Sequence, residues 1–374
     1  MYNVTLLGDL SNINCWSGIG FYFFNAGKNK SIFNKAITIN LKKYNNKKII
    51  WNLKELVKLH GIGGYQYSNK FLEFAEKQLT LNELQSNIIT FSQHFPRYNT
   101  IQKYGGELIH YIDSTFIQLS NSKSYGINLP SKKISEVLKI EKNNYNGAKL
   151  IVTMSDWALN SVINDYGINK DKVFKILPGA NLDLSKILVR KSFIPGAGKQ
   201  RPFIFGFIGK DFERKGLFLI NTIVENLNKR NILSEIHAIG YNPSHTKDYK
   251  YIKAFGFINK NTEIDNFAKF IINCDIGCLF SSDEALGISI LEFLSLGVPV
   301  AGFSHQGMSE TIKDDYGLRF NKEQNTEEMT DSIAEYILNE EIQKVKIQKA
   351  LEYSEYATWE RCINDWENLF EKLG

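Results

Sequence analysis

Apolar runs and longer helical patterns alternate along this chain. Near the start, "YNVTLLGDL" is a β-branched and leucine run ending in a polar, Gly-containing loop, and "SGIGFYFFNAGKN" continues as a loop entering a helix. Together they predict the first half of a βαβ unit. "SNIITFSQHF" (86–95) and "AKLIVTMS" (148–155) predict further strands. The second feeds "SDWALNSVINDYG", where Ser155 is placed to cap a helix that closes at Gly167. "KVFKILPGANLD" (172–183) predicts another strand, broken by Pro178 and Gly179, and "SFIPGAGKQRP" reads as a Pro- and Gly-rich linker.

Beyond that stretch the alternation restarts. "PFIFGFIG", "SEIHAIG", "KYIKAFGFI", "DIGCLFS" and "VPVAGF" predict strands, with "KGLFLINTIVENLNKR", "EIDNFAKFIINC" and "ALGISILEFLSLG" as the helices between them. Strands alternating with helices mean a mostly parallel sheet covered on both faces. The chain has 374 residues, more than one core usually supports, so two domains of roughly 150 to 200 residues are expected. Two α/β halves imply two Rossmann-like domains facing each other, with ligands at the carboxyl ends of the strands.

Composition narrows the class. Hydrophobic residues make up 43% and charged residues 23%, the balance of a globular protein. Four cysteines (Cys15, Cys274, Cys278, Cys362) make no disulfide framework and fit a reducing compartment. Cys274 and Cys278 lack a second Cys/His pair at zinc spacing and read as core thiols, so no metal is expected. The start has no basic segment followed by an apolar one, and no run of 18 apolar residues occurs, so neither a standard signal nor a membrane span is expected. A cytoplasmic protein fits. Net charge is +5, with lysines gathered between Lys28 and Lys48. They suit either a basic surface that brings the protein to the inner face of an anionic membrane or a solvated face of a Lys- and Asn-rich protein, and the second is the plainer reading. Nucleic acid is not expected, because aromatics do not interleave with the basic residues.

Three turns carry candidate chemistry. In "GKDFERKG" (209–216) a strand ends at Gly209, and Lys210, Arg214 and Lys215 precede a helix N-terminus, which together make an anion site suited to phosphate. Acidic Asp211 and Glu213 neutralising the cations in a solvated turn is the alternative. In "DEALGISILEFLSLGVPVAG" (283–302), Glu284 and Glu292 stand eight residues apart, about 80° around a helix and about 12 Å along it. A carboxylate pair for glycosidic acid/base work flanks one bond from different elements. The spacing suits two grips on one elongated ligand better, though helix N-terminal and surface glutamates remain an alternative. In "CWSGIGFY" (15–22), Gly18 and Gly20 let backbone approach a ligand, while "HGIGGYQY" (60–67) reads as a mobile loop. Neither Gly-rich loop completes a P-loop or an NAD fingerprint.

"GKDFERKG", the E-x7-E spacing and "SGIGFY" together resemble the retaining glycosyltransferases of family 4 (glycosyl transferases group 1), whose fold is GT-B. "KLIVTMSDWALNSVINDYGINKDKVFKILPGANLD" is similar to that family's segment leading to the interdomain linker, and "YATWERCINDWENLFEKL" to its C-terminal helix, which crosses back onto the first domain. The resemblance covers most of residues 140–374 and residues 1–139 loosely. It implies an acceptor-side domain over 1–183, a donor-binding domain over 184–356 and a returning helix over 357–374. Lys210 and Lys215 occupy the places of the basic pair on the donor diphosphate. Many members carry Arg at the first, so Lys210 keeps the charge and loses bidentate geometry. Glu284 matches the glutamate beside the transferred sugar and Glu292 the one on the ribose. Amides of Leu286, Gly287 and Ile288 should face the diphosphate, Gly18 belongs to the loop that closes over the donor, and His94 lies where the family often has a histidine touching the sugar. The base should rest near Phe257 and Ile258.

The implied reaction moves a sugar from a nucleotide-sugar donor, a UDP- or GDP-hexose, to a glycan, glycolipid or other surface-polysaccharide acceptor, with retention and without metal or cofactor. A nucleotide-sugar epimerase of the same fold and a catalytically silent sugar-nucleotide binder remain open as alternatives.

Overall fold

The structure is a computed structural model that describes residues 1–42, 44–57 and 63–373. Six strands form a first sheet: β1 (Tyr2–Thr5), β2 (Phe33–Ile37), β3 (Asn87–Thr90), β4 (Glu107–Ile112), β5 (Leu150–Thr153) and β6 (Val173–Lys175). Six more form a second: β7 (Phe203–Ile208), β8 (Ser234–Ile239), β9 (Ile252–Ala254), β10 (Ile276–Leu279), β11 (Val300–Phe303) and β12 (Gly317–Phe320). All pairings within both sheets are parallel, as βαβ alternation requires. Two doubly wound α/β sheets of this kind make the two-domain GT-B fold expected from the sequence.

The strand orders are β2-β1-β3-β4-β5-β6 and β12-β11-β10-β7-β8-β9. Each order reverses once, between β1 and β3 in the first sheet and between β7 and β10 in the second. At such a reversal the flanking helices leave in opposite directions, and a crevice opens at the carboxyl ends of the two strands.

The first unit comprises Met1–Pro178 together with Cys362–Gly374, and the second Gly179–Arg361. The last helix, Trp359–Leu373, therefore ends in the first unit. There Trp366 is fully buried, with ring centroids 5.2 Å from Tyr111 and 5.5 Å from Phe23, and Phe370 stacks on Tyr2 at 4.4 Å. The division falls ahead of Asp183 because residues 179–181 pack on the end of the second unit. Ala180 N–H donates to the Ala357 carbonyl at 2.9 Å, and a Cβ on Gly179 would come within 2.3 Å of the Trp359 nitrogen.

The Pro- and Gly-rich stretch at 192–202 is no linker between the units. It lies inside the second one, with Ala197 buried in its core and Arg201 donating to both Asp275 oxygens at 2.7 and 2.8 Å. Three strands were not signalled by pattern: β2, β4 and β12. Two of them are edge strands, which keep polar side chains in water; in β2 only Phe33 and Ile37 are buried. β4 is central and carries His110 within its apolar run.

Ser155 caps the helix Asp156–Asn164 as expected, accepting from the Ala158 N–H at 3.2 Å, and Gly167 follows with φ +68°. The four cysteines form no disulfide, and burial pushes the Cys274 and Cys278 thiols up.

Candidate active site

Among the described residues three α-helices begin on a left-handed glycine with no side-chain cap. They are Ile19–Asn29 on Gly18 (φ +86°), Leu217–Lys229 on Gly216 (φ +79°) and Ile288–Ser295 on Gly287 (φ +79°). Their opening N–H groups thus have no side-chain oxygen to satisfy them, unlike those capped by Ser155, Asn325 or Asn339. The three follow β1, β7 and β10, the strands at the two topological reversals. Two anion-ready helix ends accordingly meet at the reversal of the second sheet.

The side chains there converge on Glu284. Its Oε2 lies 3.3 Å from Arg214 Nη1, 3.4 Å from Lys215 Nζ and 3.3 Å from Ser281 Oγ. Burial alone would push the Glu284 carboxyl up, but the charges of Lys215 and Arg214 outweigh it and hold it below the usual range. Glu284 is therefore an ionised carboxylate at neutral pH, unsuited to donate a proton.

Arg214 binds the two turns together. Its Nη1 also donates to the Asp283 carbonyl at 2.7 Å, while its own carbonyl accepts from the Ser282 N–H at 2.9 Å. Asp211 accepts from Arg214 Nε at 2.9 Å, so the neutralising neighbour left open by the sequence is present. Arg214 and Lys215 thus face two carboxylates, Glu284 and Asp211, so the paired charges of the cluster balance before any ligand binds. Gly209 makes room for the lysine: a Cβ there would stand 2.4 Å from Lys215 Cδ.

The loop that carries Glu284 lies ahead of the Ile288–Ser295 helix and is held by residues that sequence reasoning missed. Gln306 accepts from the Glu284 N–H at 2.8 Å and donates to Asp283 Oδ1 at 2.8 Å, and His305 Nε2 lies 2.9 Å from the Ser281 carbonyl oxygen. Gly307, next in sequence, permits this approach, since a Cβ would fall 1.5 Å from the Ala285 carbonyl oxygen. Leu286 accepts from Thr311 Oγ1 at 3.2 Å.

Lys210 and Glu292 are not part of that cluster's ion pairs. Lys210 is exposed, with Nζ 5.7 Å from the Phe257 ring centroid, and the half-buried Ile258 follows that ring. Glu292 is almost fully buried and pairs with Lys260, whose Nζ also stands 4.6 Å over Phe267. Lys260 gave no signal in the sequence as a partner for Glu292.

In the first unit, Gly18 and His94 stand after β1 and β3, at the reversal of that sheet. Trp16 (φ +50°) and Ser17 (φ +56°) precede Gly18, so three consecutive residues are left-handed. Such strained backbone persists where surroundings over-determine it, often at ligand sites. His94 is 7% exposed, its ring 5.3 Å from Tyr67. Burial pushes its pKa down to about 4 against a bond to the Gln66 backbone, so the ring is neutral at pH 7. Its Nε2 has no hydrogen-bond partner among the described residues. Of "HGIGGYQY", residues 60–62 lie outside the described residues; Gly64 (φ +76°) opens a short 3-10 helix at Tyr65–Tyr67, and Tyr65 is buried. Among the described residues no group of three or more His, Cys, Asp or Glu side chains could hold a metal ion, and no helix is long and apolar enough to cross a membrane.

Comparison with known proteins bears on the family and the fold. Residues 190–353 match the family described as glycosyl transferases group 1. An uncharacterized glycosyltransferase of Methanocaldococcus jannaschii is 23% identical over 216 residues, which are 55% of this chain and 60% of that protein. The matched region thus spans under two thirds of that relative. Sucrose-phosphate synthase from Thermosynechococcus elongatus superposes with a TM-score of 0.74 at 13% identity, covering 100% of this chain and 99% of that one. HepE of Anabaena, solved in complex with UDP-glucose, gives 0.67 at 13% identity over 100% of both chains. The sequence match and the shared fold together support a glycosyltransferase.

Proposed function

We propose that the protein is a retaining, metal-independent glycosyltransferase of family 4 that moves a hexose from a UDP- or GDP-sugar to a glycan or lipid-linked acceptor. The observation that carries this reading is the ionised Glu284 held between Arg214 and Lys215 where two uncapped helix ends meet. A nucleotide-sugar diphosphate is a dianion, and this corner offers it a cation and backbone N–H groups, while the carboxylate is suited to accept from sugar hydroxyls.

In this mechanism Lys215 and Lys210 stabilise the leaving diphosphate, together with the amides of Leu286, Gly287 and Ile288. Arg214 acts as a positioning residue, fixing Glu284 through its carboxylate and the Asp283 carbonyl. With the ring proton on Nδ1 toward the Gln66 backbone, neutral His94 presents Nε2 as an acceptor for a sugar hydroxyl. Glu292 grips the ribose once Lys260 yields it. No protein nucleophile is needed, because an oxygen of the departing diphosphate takes the acceptor's proton. Preorganised charge of this kind typically contributes about 10² to 10³ in rate per contact.

A thermal-shift screen against nucleoside diphosphates and nucleotide sugars tests the donor: a ligand at 100 times its dissociation constant adds about 2.7 kcal/mol. With the donor in hand, NMR of the product should show the donor's anomeric configuration kept, and a chelator should leave the rate unchanged. An inverted product or a chelator-sensitive rate would remove those parts of the proposal. A rearranged nucleotide sugar formed without any acceptor would replace it with an epimerase.

A further inference from the structure

The lysine-rich stretch at 28–48 does not act as one basic patch. Lys30 pairs with Glu367 at 3.4 Å and Lys35 with Glu83 at 2.6 Å, and β2 runs through the middle of it. The helix Tyr44–Val57 that follows has two apolar faces. Tyr44 and Trp51 pack on the core of the first unit, and Trp51 Nε1 donates to the Gly63 carbonyl at 3.3 Å. Ile49, Ile50, Leu53, Leu56 and Val57 stand opposite, each 53% to 84% exposed.

At about 100° per residue, those five side chains fall within one arc of about 120°, centred about half a turn from Trp51 and Tyr44. A helix that buries one face normally offers polar residues on the other. Here the outward face is the apolar one. Lys47 and Lys54 lie along one border of the stripe, and Asn45 and Asn52 along the other. The helix's single carboxylate, Glu55, faces inward, buried and paired with Lys133 at 3.3 Å. Asn46 falls inside the arc, so the exposed surface is mainly apolar, bordered by cations on one side and amides on the other, with no anionic group of the helix on it.

We propose that this helix is an interfacial membrane anchor: it lies flat on an anionic phospholipid surface, its stripe sunk among the acyl chains and Lys47 and Lys54 at the headgroup phosphates. The pattern is that of helices that bind in the plane of the interface, by apolar burial and attraction to anionic lipid together. The proposal extends the reading of a lipid-linked acceptor, but it is tested without sugar chemistry.

The test is co-sedimentation of the full chain with vesicles of phosphatidylcholine alone and of phosphatidylcholine mixed with phosphatidylglycerol. Binding should require the anionic lipid and weaken with salt, since exposed charges are screened over about 10 Å at 0.1 M. The double variant Ile50→Glu with Leu53→Glu should lower partitioning at least about tenfold. Lys47→Gln and Lys54→Gln should each cost about fivefold. All these positions are exposed, so thermal melting should not move; if the glutamate pair does not fold, Leu53→Ser with Val57→Ser carries the same test. Equal binding to neutral vesicles, or full binding by the stripe variants, would overturn the proposal. So would a lipid-free dimer that the stripe variants dissolve, because a second copy would then be the occupant. Glycosyl transfer is not read in this assay, so failure of the donor-site reading cannot imitate either result.

Discussion

At the reversal of the second sheet, Glu284 is kept ionised by Arg214 and Lys215, and each flanking helix opens on a bare glycine. The corresponding end of the first sheet has the same kind of strand reversal and a glycine-opened helix, but its buried ionisable group, His94, is held neutral by the lack of water. In the proposed mechanism the crevice of the second sheet takes the charged part of the donor and that of the first sheet an uncharged, hydrogen-bonding group. The topology supplies the place, and the local side chains decide which chemistry it takes.

The sharpest way to break that contrast is to remove charge from the second crevice. Lys215→Ala or Glu284→Ala should lower kcat by about 10² to 10³ with the fold intact by circular dichroism. Near-native rates in both would mean that the cluster is structural. Acid distinguishes the crevices next. His94 has its pKa lowered in the folded state, so the unfolded chain binds a proton below pH 6.5 that the folded one refuses until about 4. Its contribution is fully present above pH 6.5 and is lost as pH falls through that window, in total about 3 kcal/mol. Glu141, pushed up by burial to about 7, runs in the opposite sense and loses stability as pH rises. The measurement is therefore the difference between the native protein and His94→Gln, which should change between pH 6.5 and 4; a flat difference would refute a neutral buried ring. The lowered Glu284 carboxyl should lose its contribution only as pH falls below the ordinary carboxylate range.

Within the second unit, Lys260→Met should cost about 2 kcal/mol by urea unfolding, because Glu292 is left buried without its cation; Lys260 is itself partly exposed, which softens the loss. No change would show that Glu292 has another partner. The smallest effect compares the glycines. Gly18→Ala should cost about 1 kcal/mol for a left-handed residue. Gly216→Ala should cost more, since its Cβ would also stand 2.4 Å from the Phe280 carbonyl oxygen. Equal costs would show the first loop to be as closely packed as the second.

Local signals were readable where chemistry and spacing lie within one turn. Ser155 as a cap, the strands before Gly209 and Ser281, and the glycines that open helices after them all follow from a few neighbouring residues. Edge strand β2 escaped notice because its solvent side carries Asn34 and Lys35 in place of an apolar run. The partners of the two glutamates escaped because pairing crosses the chain: Gln306 is 22 residues from Glu284, and Lys260 is 32 from Glu292.

The sequence by itself determined the α/β alternation, the glycine-bounded turns and the presence of cations and carboxylates near them, since hydrophobic period and turn propensity act over a few residues. Only the tertiary structure decided that Arg214 and Lys215, not Lys210, sit against Glu284, that Glu292 is buried on Lys260, and that the apolar face of Tyr44–Val57 turns outward. Which charges meet, and which face of a helix stays in water, depends on elements brought together across long stretches of chain, and no local pattern encodes that.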